Sequence, residues 1–296
     1  MSRIHLVDAS PYIFRAYFSL PDSIRDPGGR SVHAVYGFAT FLLKLVEDEA
    51  ATHLAAAFDE SLTSSFRNEI YPAYKSGREL PPDDLKAQLD DCRRLAAALG
   101  VPTFRSARYE AEDLLAALMP PLLEDGHDVV LVSSDKDLLQ LVDARVSMLD
   151  FARDTRFTPA DVEEKFGVRP EQITDYLGLA GDSVDDIPGV PGVGKKTAAA
   201  LLAAFDRLED ALDDLDAVAA LEVRGARSLA KKLAEHRERA LLSKRLATLA
   251  VEEARAEASA SLDDLALGGG DSAALEERIE ALGFGRLAER LRTFGA

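Results

Sequence analysis

Apolar and polar positions alternate along the first half of the chain in blocks that fit strands followed by helices. Four short apolar runs, at 4–7, 53–58, 101–104 and 129–132, predict buried β-strands. Apolar residues recur at helical spacing at 11–18 and at 83–99, the latter after a Pro-Pro pair and before a glycine. Because strands that alternate with helices indicate βαβ units, we predict an α/β fold with a mostly parallel sheet.

Beyond about residue 158 the pattern changes to short helices joined by turns rich in glycine and proline. We therefore place a boundary near residue 160. The expected organisation is an α/β core at 1–160, followed by a helical region with a C-terminal extension at 161–296.

Acidic side chains stand where three of the predicted strands end: Asp8 after the first, Asp59 after the second, and Asp135 and Asp137 after the fourth. The carboxyl ends of parallel strands share one edge of a sheet, which is where such folds bind ligands. Two other acidic segments complete a set of nine residues, which are Asp8, Asp59, Glu110, Glu112, Asp113, Asp135, Asp137, Asp182 and Asp185. Any one of these acids alone is commonly a helix cap or a turn residue.

Nine carboxylates in one crevice would repel one another, and several would take up protons unless a cation joined them. Sites made only of oxygen suit Mg²⁺ or Mn²⁺, whereas zinc prefers the His and Cys ligands that are missing here. Two such ions about 3.5–4 Å apart could drive in-line hydrolysis of a phosphodiester. The sequence therefore predicts a metal site at this edge of the sheet.

The net charge of −17 argues against a nucleic-acid partner only when it is taken as a total. Residues 223–245 carry eight Lys and Arg against two Glu, a net charge of +6 that could follow a duplex backbone. Segment 66–78 mixes Arg67, Lys75 and Arg78 with Tyr71 and Tyr74. Basic and aromatic residues in this arrangement suit single-stranded nucleic acid, and they equally suit a polar loop with packed tyrosines.

The composition also indicates the cellular compartment and excludes some kinds of metal and disulfide site. A single cysteine, Cys92, excludes an internal disulfide framework and a cysteine-based zinc site. The N-terminus lacks the apolar stretch of a signal peptide, and no apolar run approaches the roughly 20 residues of a membrane span. We expect a cytoplasmic protein.

The glycine-rich turn at 187–194 nearly matches a phosphate-binding P-loop through Gly189, Gly194 and Lys195. The next residue is Lys196 instead of Ser or Thr, and no apolar strand precedes the turn, so nucleotide binding is not the favoured interpretation. The pattern is more typical of a helix-hairpin-helix, in which backbone N–H groups at the start of helix 195–205 hold a DNA phosphate. A plain inter-helix turn is the alternative.

Five motifs together resemble the 5′-nuclease family, which comprises the 5′–3′ exonuclease domain of bacterial DNA polymerase I, its stand-alone relatives and the flap endonucleases. They occur in family order and are LVDAS, FRNEIYPAYKSGR, YEAEDLLAAL, SSDKDLLQLV and GDSVDDIPGVPGVGKKTA. The resemblance runs from residue 3 to about residue 290. It implies a PIN-like α/β nuclease core with a helical arch and a helix–three-turn–helix region that binds DNA. It also implies two Mg²⁺ or Mn²⁺ ions at the nine acids, and a K⁺ ion at the turn at 189–197.

The resemblance also assigns roles to basic and aromatic residues. Lys75, Arg15 and Arg78 are expected to act on the scissile phosphate. The expected DNA contacts are Phe14, Arg67, Tyr74, Gly189, Gly192, Gly194, Lys195, Lys196, Thr197, Lys231 and Lys232. Three positions depart from the bacterial pattern without removing a predicted ligand: Glu112 replaces Asp, Asp186 replaces Asn and Ala9 replaces Gly.

The function that the resemblance implies is a metal-dependent 5′–3′ exonuclease or flap endonuclease for DNA replication and repair. The alternatives are a structure-specific DNA-binding protein with little catalysis and a PIN-type ribonuclease. Expected partners are DNA with 5′ ends or flaps and a separate DNA polymerase, and RNA primers are compatible as substrates. We expect a monomer, because one active site engages one junction.

Overall fold

The central sheet consists of strands that are buried along most of their length. The computed structural model describes residues 1–60, 64–223 and 225–295. Its strands are β1 (Arg3–Asp8), β2 (His53–Asp59), β3 (Thr103–Ser106), β4 (Asp128–Val132), β5 (Val146–Asp150) and β6 (Thr155–Phe157). They lie in the order β3-β2-β1-β4-β5-β6; the first five are parallel and β6 runs antiparallel to β5. The predicted α/β fold with a mostly parallel sheet is confirmed.

Helices cover both faces of this sheet. They are α1 (Ser10–Ser19), α2 (His33–Glu49), α3 (Phe66–Ile70), α4 (Asp83–Ala98), α5 (Ala111–Glu124), α6 (Pro159–Phe166), α7 (Ile173–Ala180), α8 (Lys195–Ala204), α9 (Leu208–Asp213), α10 (Leu215–Ala220), α11 (Ala226–Glu235), α12 (Arg237–Ala247), α13 (Ser272–Leu282) and α14 (Arg286–Gly295). Short 3₁₀ helices occupy Lys136–Leu141, Pro170–Gln172, Glu253–Ala256 and Asp263–Leu265. None of the helices within the described ranges is long and apolar enough to cross a membrane.

Alternate side chains of β1 belong to two separate cores. Leu6 packs on one face with α5 and the helices that follow residue 173, whereas Val7 packs on the other face with α1, α2 and α4. Helices α13 and α14 return to this second face and lie against α4 and α2. The end of the chain thus shares a core with its beginning, while the helices at 173–247 form the other layer.

The register of the sheet brings the chemistry together. Val7 of β1 pairs with Ala56 of β2 and with Val132 of β4, so the three strands end almost level. Parallel strands in this register place whatever follows them on the same edge. That edge is where Asp8, Asp59 and the segment after Val132 lie.

Several elements differ from the sequence prediction. Helix α2 was not predicted, although its buried side chains recur at helical spacing, as Ala34, Phe38 and Leu42 show. The segment after β4 forms a 3₁₀ helix, for which the sequence analysis gave no bounds. Strand β3 begins two residues later than expected. Arg224, which belongs to the basic segment, lies outside the described residues.

Candidate active site

The nine predicted acids come from five places around the carboxyl edge of the sheet. Asp8 and Asp59 end β1 and β2, and Asp135 and Asp137 begin the 3₁₀ helix after β4. Glu110, Glu112 and Asp113 form the first turn of α5, and Asp182 and Asp185 lie in the loop after α7. Local contacts hold the set: Ala111 N donates to Asp59 Oδ1 at 3.0 Å, and Asp137 N donates to Asp135 Oδ1 at 2.9 Å.

Two buried carboxylate oxygens at this edge lack a hydrogen-bond donor among the described residues. Ser133 Oγ donates to Asp8 Oδ2 at 2.8 Å, but Asp8 Oδ1 is buried without a partner. Asp137 Oδ1 is likewise buried without a hydrogen-bond donor, and Lys136 Nζ lies 4.0 Å from it. Burial, and then the nearby charge of Asp59, raise the pKa of Asp8 well above its ordinary value. Burial and then Asp135 do the same to the pKa of Asp137. Each side chain therefore resists ionisation unless a cation joins it.

Three neighbouring acids share this condition. Burial is the main reason that the pKa values of Asp59, Glu112 and Asp185 are raised, and in each case the charge of Lys75 opposes the rise. Among the described residues, four basic side chains contact the nine acids, namely Arg67, Lys75, Arg78 and Lys136, so acidic groups outnumber basic ones at this edge. A buried oxygen cluster with excess negative charge is a site where a hard divalent cation binds well.

Lys75 is the cation at the centre of the cluster. Its Nζ lies 2.6 Å from Glu110 Oε1 and 4.0 Å from Glu112 Oε1, and its side chain is buried. Burial alone would lower the pKa of Lys75, but Glu112 and Glu110 raise it well above the ordinary value, so the amine stays protonated. Burial alone would likewise raise the pKa of Glu110, but Lys75 and Arg67 outweigh it and the net shift is downward.

The backbone at Lys75 is held in a strained conformation by the loop that carries Asp185. Lys75 has φ +52°, in the left-handed region that non-glycine residues rarely adopt, and its N–H donates to Asp185 O at 3.0 Å. Arg78 Nη2 donates to Asp185 Oδ1 at 2.6 Å, and Gly77 N donates to Asp186 Oδ2 at 3.0 Å. These contacts join segment 75–78 to the 182–187 loop, and such strain is typical of functional sites.

Lys136 closes the cluster on its other side. Its Nζ contacts Asp182 Oδ2, while Val184 N donates to Asp182 Oδ1 at 3.0 Å. Sequence reasoning missed both Lys136 and Ser133, although each stands inside the SSDKD motif. The available signal was their closeness to the acids, because Lys136 lies between Asp135 and Asp137 and Ser133 is two residues before Asp135.

The arrangement is not a complete metal cage. Within residues 1–60, 64–223 and 225–295, no group of three or more His, Cys, Asp or Glu side chains is placed so that it could hold a metal ion. Mg²⁺, however, commonly keeps several waters and binds through one or two carboxylates together with substrate phosphates. The unpartnered oxygens of Asp8 and Asp137 fit that mode of binding.

Three predicted site residues are buried and engaged by other residues of the protein, and their expected roles stay predictions. Arg67 was expected to contact DNA, but it is 2% exposed and forms a two-pronged ion pair with Asp113. Asp113 was expected to bind a metal, but it is fully buried, and its oxygens accept hydrogen bonds from Arg67 and from the backbone N–H groups of Glu110 and Ala250. Tyr74 was expected to contact DNA, but it is 2% exposed and donates to Glu110 Oε2 at 3.0 Å. All three side chains form buried hydrogen bonds within the site.

Helix α1 begins two residues after Asp8 and carries Phe14 and Arg15. Arg15 is exposed and lines a small pocket together with Ser134, and Phe14 is half-buried against the α1–α2 face. The expected contact of Arg15 with the scissile phosphate stays a prediction.

The glycine-rich turn has an exposed half and a buried half. Gly192, Gly194, Lys195 and Lys196 are exposed at the start of α8, and Thr197 is half-buried. Gly189 is buried, and its N–H donates to Ser243 Oγ at 3.0 Å; its expected contact with DNA stays a prediction. A side chain at Gly189 would meet Gly181 N at 2.4 Å, which explains the glycine.

The two lysines predicted on α11 differ in position. Lys231 is exposed, whereas Lys232 is half-buried and donates from Nζ to Gly192 O at 2.9 Å. Lys232 thus fixes the shape of the turn, and Lys231 is available to a partner.

Comparison with solved structures establishes the class of fold. The chain superposes on T5 5′-exonuclease with a TM-score of 0.70 at 19% identity, covering 99% of this chain and 100% of the other. A T5 D15 flap endonuclease complex with DNA and metal ions gives a TM-score of 0.69 at 21% identity, covering 99% of both chains. The chain therefore has a PIN-like α/β nuclease fold.

Sequence comparison identifies the family. Residues 3–167 match the 5′-3′ exonuclease, N-terminal resolvase-like domain, and residues 168–273 match the 5′-3′ exonuclease, C-terminal SAM fold. The chain belongs to the 5′–3′ exonuclease family. It is 40% identical over 293 residues to DNA polymerase I of Bacillus subtilis, covering 98% of this chain and 32% of that protein. The chain therefore spans about a third of the length of this relative.

Proposed function

We propose that this chain is a divalent-metal-dependent nuclease that hydrolyses DNA phosphodiester bonds at 5′ ends and at the junctions of 5′ flaps. The observation that carries the proposal is the pair of buried carboxylate oxygens on Asp8 and Asp137, at the carboxyl edge of the sheet, that accept no hydrogen bond from the described residues. Family membership supplies the reaction class, and the excess of negative charge supports a cation as cofactor.

Two Mg²⁺ or Mn²⁺ ions are part of the proposal. The carboxylates that no basic side chain contacts within hydrogen-bond distance are Asp8, Asp59, Glu112, Asp135 and Asp137. The other four, Glu110, Asp113, Asp182 and Asp185, are engaged by Lys75, Arg67, Lys136 and Arg78, and would join only if those contacts loosened. When bound, such ions supply an activated water and stabilise the leaving oxygen.

The protein's own cations position and neutralise the phosphate. Lys75 stays protonated next to the carboxylates, so its charge is present where a phosphate would enter. Arg78 is about one-third exposed next to Asp185, and Arg15 is exposed on α1. These three donors would offset the charge that develops on the phosphate during hydrolysis.

The helical region would hold the duplex. The exposed turn of Gly192, Gly194, Lys195 and Lys196 presents free N–H groups at the start of α8, which suits a DNA phosphate. A K⁺ ion at this turn, RNA primers as further substrates, a separate polymerase, a monomeric state and a cytoplasmic location belong to the same proposal.

A matched pair of variants tests the assignment. Asp135→Asn removes one charge from the acidic edge, whereas Asp125→Asn removes the same charge from the exposed far end of α5. With Mg²⁺ and a labelled 5′-flap duplex, we expect Asp135→Asn to lose cleavage and to keep DNA binding. Asp125→Asn should cleave like the wild type.

The outcome also separates the second candidate function, a DNA-binding protein with little catalysis. Full activity of Asp135→Asn would show that the acidic edge takes no part in cleavage. Equal and negligible cleavage by all three proteins, with tight binding, would favour the binding protein instead.

A further inference from the structure

A cleft of about 230 Å³ lies beside the acidic edge, and the reaction proposed above does not use it. Its lining includes Phe66, Arg108, Tyr109, Arg245, Leu249 and Glu253. We call it the aromatic cleft. Its volume is below the roughly 300–1,000 Å³ typical of pockets for drug-sized ligands, so it suits one small group of a larger molecule.

Two half-buried rings form its apolar part. The rings of Phe66 and Tyr109 have centroids 5.8 Å apart and are tilted by 51°. The backbone joins the two walls, because Phe66 N donates to Arg108 O at 2.9 Å. A pair of fixed, partly open aromatic faces is a surface on which a planar base can stack.

Two exposed arginines stand at the edge of these rings. The Arg245 side chain lines the cleft and forms no hydrogen bond or ion pair with any other residue in the described part of the chain. Arg108 pairs with Glu69 at 3.0 Å, but the two side chains are 54% and 59% exposed. Because such a pair contributes at most about 1 kcal/mol, a phosphate could replace Glu69 at little cost. Arginine beside an aromatic face is the combination that binds single-stranded nucleic acid.

The aromatic cleft and the acidic edge share Arg67. The Arg67 guanidinium carbon lies 4.6 Å from the centre of the Phe66 ring. The same guanidinium contacts Glu110 and Asp113, and it donates to the carbonyl of Leu246 at 2.7 Å. One side chain therefore separates a base held on Phe66 from the acids of the candidate active site.

We propose that the aromatic cleft binds one unpaired nucleotide of the 5′ single strand, with the base on Phe66 and Tyr109 and a phosphate on Arg108 and Arg245. This inference rests on the proposed function, because it names where the unpaired strand of that substrate lies. It makes the cleft a determinant of preference for substrates with a single-stranded 5′ tail.

The test uses the full chain, a duplex with a 5′ tail that carries 2-aminopurine, and the same duplex without a tail. Binding is measured with chelator present, so that no cleavage occurs. The wild type should bind the tailed duplex more tightly and quench the 2-aminopurine. Tyr109→Leu should lose the quenching and about five- to a hundred-fold of the tail's contribution to affinity, whereas Tyr109→Phe keeps both.

Arg245→Gln is the second variant, chosen because an exposed, unpaired side chain can be replaced without harm to folding. It should weaken binding of the tail and reduce the slope of log affinity against log salt by about 0.7, the value for one phosphate contact on a single strand. Arg286→Gln makes the same charge change at the exposed start of α14, on the other face of the sheet, and should change neither quantity.

The results separate this inference from the proposed function. Normal quenching and normal salt slopes in Tyr109→Leu and Arg245→Gln would overturn the cleft, even if the wild type cleaves flaps. Loss of quenching in Tyr109→Leu and a reduced salt slope in Arg245→Gln, together with a wild type that never cleaves DNA, would support the cleft and overturn the proposed nuclease. Equal effects of Arg286→Gln and Arg245→Gln would show that binding of the tail depends on the protein's overall charge and not on the cleft, and would also overturn the proposal.

Discussion

Arg67 and Asp113 face each other as a buried pair, with Nη1–Oδ2 and Nη2–Oδ1 distances of 2.7 and 2.8 Å. Arg67 lies on α3 and Asp113 on α5, and Arg67 also donates to the carbonyl of Leu246 at the end of α12. The pair thus ties the acidic edge to the helical region. Arg67 belongs to a segment whose composition suits nucleic acid, but in this structure its side chain stabilises the site from within.

Arg67→Met should destabilise the protein strongly. Removal of one partner of a buried ion pair leaves an uncompensated charge on Asp113 and costs about 3–5 kcal/mol. The free energy of unfolding, obtained by urea titration at pH 7, measures this loss. Arg108→Met is the matched control, because its pair with Glu69 is exposed and should be worth about 1 kcal/mol or less. Equal small losses in both variants would show that the buried pair does not hold the helical region in place.

The metal-free protein should become more stable as the pH is lowered from about 8 towards about 5. Burial raises the pKa values of Asp8, Glu112 and Asp137 well above those of an unfolded chain, which lie near 4. The folded state therefore binds more protons than the unfolded state in this range, and its stability falls as the pH rises. Below about pH 4.5 the trend should reverse, since acids with lowered pKa values, such as Glu110, then lose their ion pairs.

Thermal unfolding with chelator at a series of pH values measures this trend, and the same series with excess Mg²⁺ is the control. Metal binding competes with protons for the same oxygens, so added Mg²⁺ should stabilise most at high pH. A metal-free protein that loses stability steadily from pH 8 to pH 5 would contradict the raised pKa values.

Asp137→Asn should raise the stability of the metal-free protein at pH 7.5 while it removes cleavage. Asp137 is buried with one oxygen unpartnered, so ionising it costs free energy that a neutral amide avoids. We expect a gain on the order of 1 kcal/mol in chelator, measured by urea titration. Asp125→Asn, at the exposed end of α5, should leave both stability and cleavage near the wild type. A destabilised Asp137→Asn protein would mean that the carboxylate has a partner in solution.

Gly189→Ala should destabilise the helical region far more than Gly194→Ala. At Gly189 the backbone has φ +57°, and an added Cβ would lie 2.4 Å from Gly181 N and 2.7 Å from Ala180 C. At Gly194 an added Cβ would meet nothing within 4 Å. Because backbone atoms cannot move aside cheaply, we expect a loss above about 2 kcal/mol at Gly189 and below about 1 kcal/mol at Gly194. Comparable melting temperatures for the two variants would contradict the close approach of the two loops.

Much of the site was predictable because parallel strands bring their carboxyl ends to one edge. The acids after β1, β2 and β4 converge there, as Asp8, Asp59 and Asp137 illustrate. What the sequence could not decide was which acids already have partners. Arg67 and Tyr74 fit a DNA contact by type, and only the packing of α3 and the turn that follows it against α5 shows that they are buried.

The features that sequence reasoning missed differ in kind. Helix α2 carries buried apolar side chains at helical spacing, so its signal was present in the sequence. Gly189 and Gly194 look alike in the sequence, yet one passes close to another backbone segment and the other is open to solvent. Contacts between distant segments set these differences, and a local pattern does not record them.

Cleavage of a 5′-labelled flap duplex tests the central claim most directly. The reaction is run with Mg²⁺, with Mn²⁺ and with chelator, beside a single-stranded RNA control. The account predicts metal-dependent release of a labelled product cut at or near the flap junction, and no product with chelator. Tight binding of the duplex with no cleavage in either metal, or cleavage of the RNA alone, would contradict it.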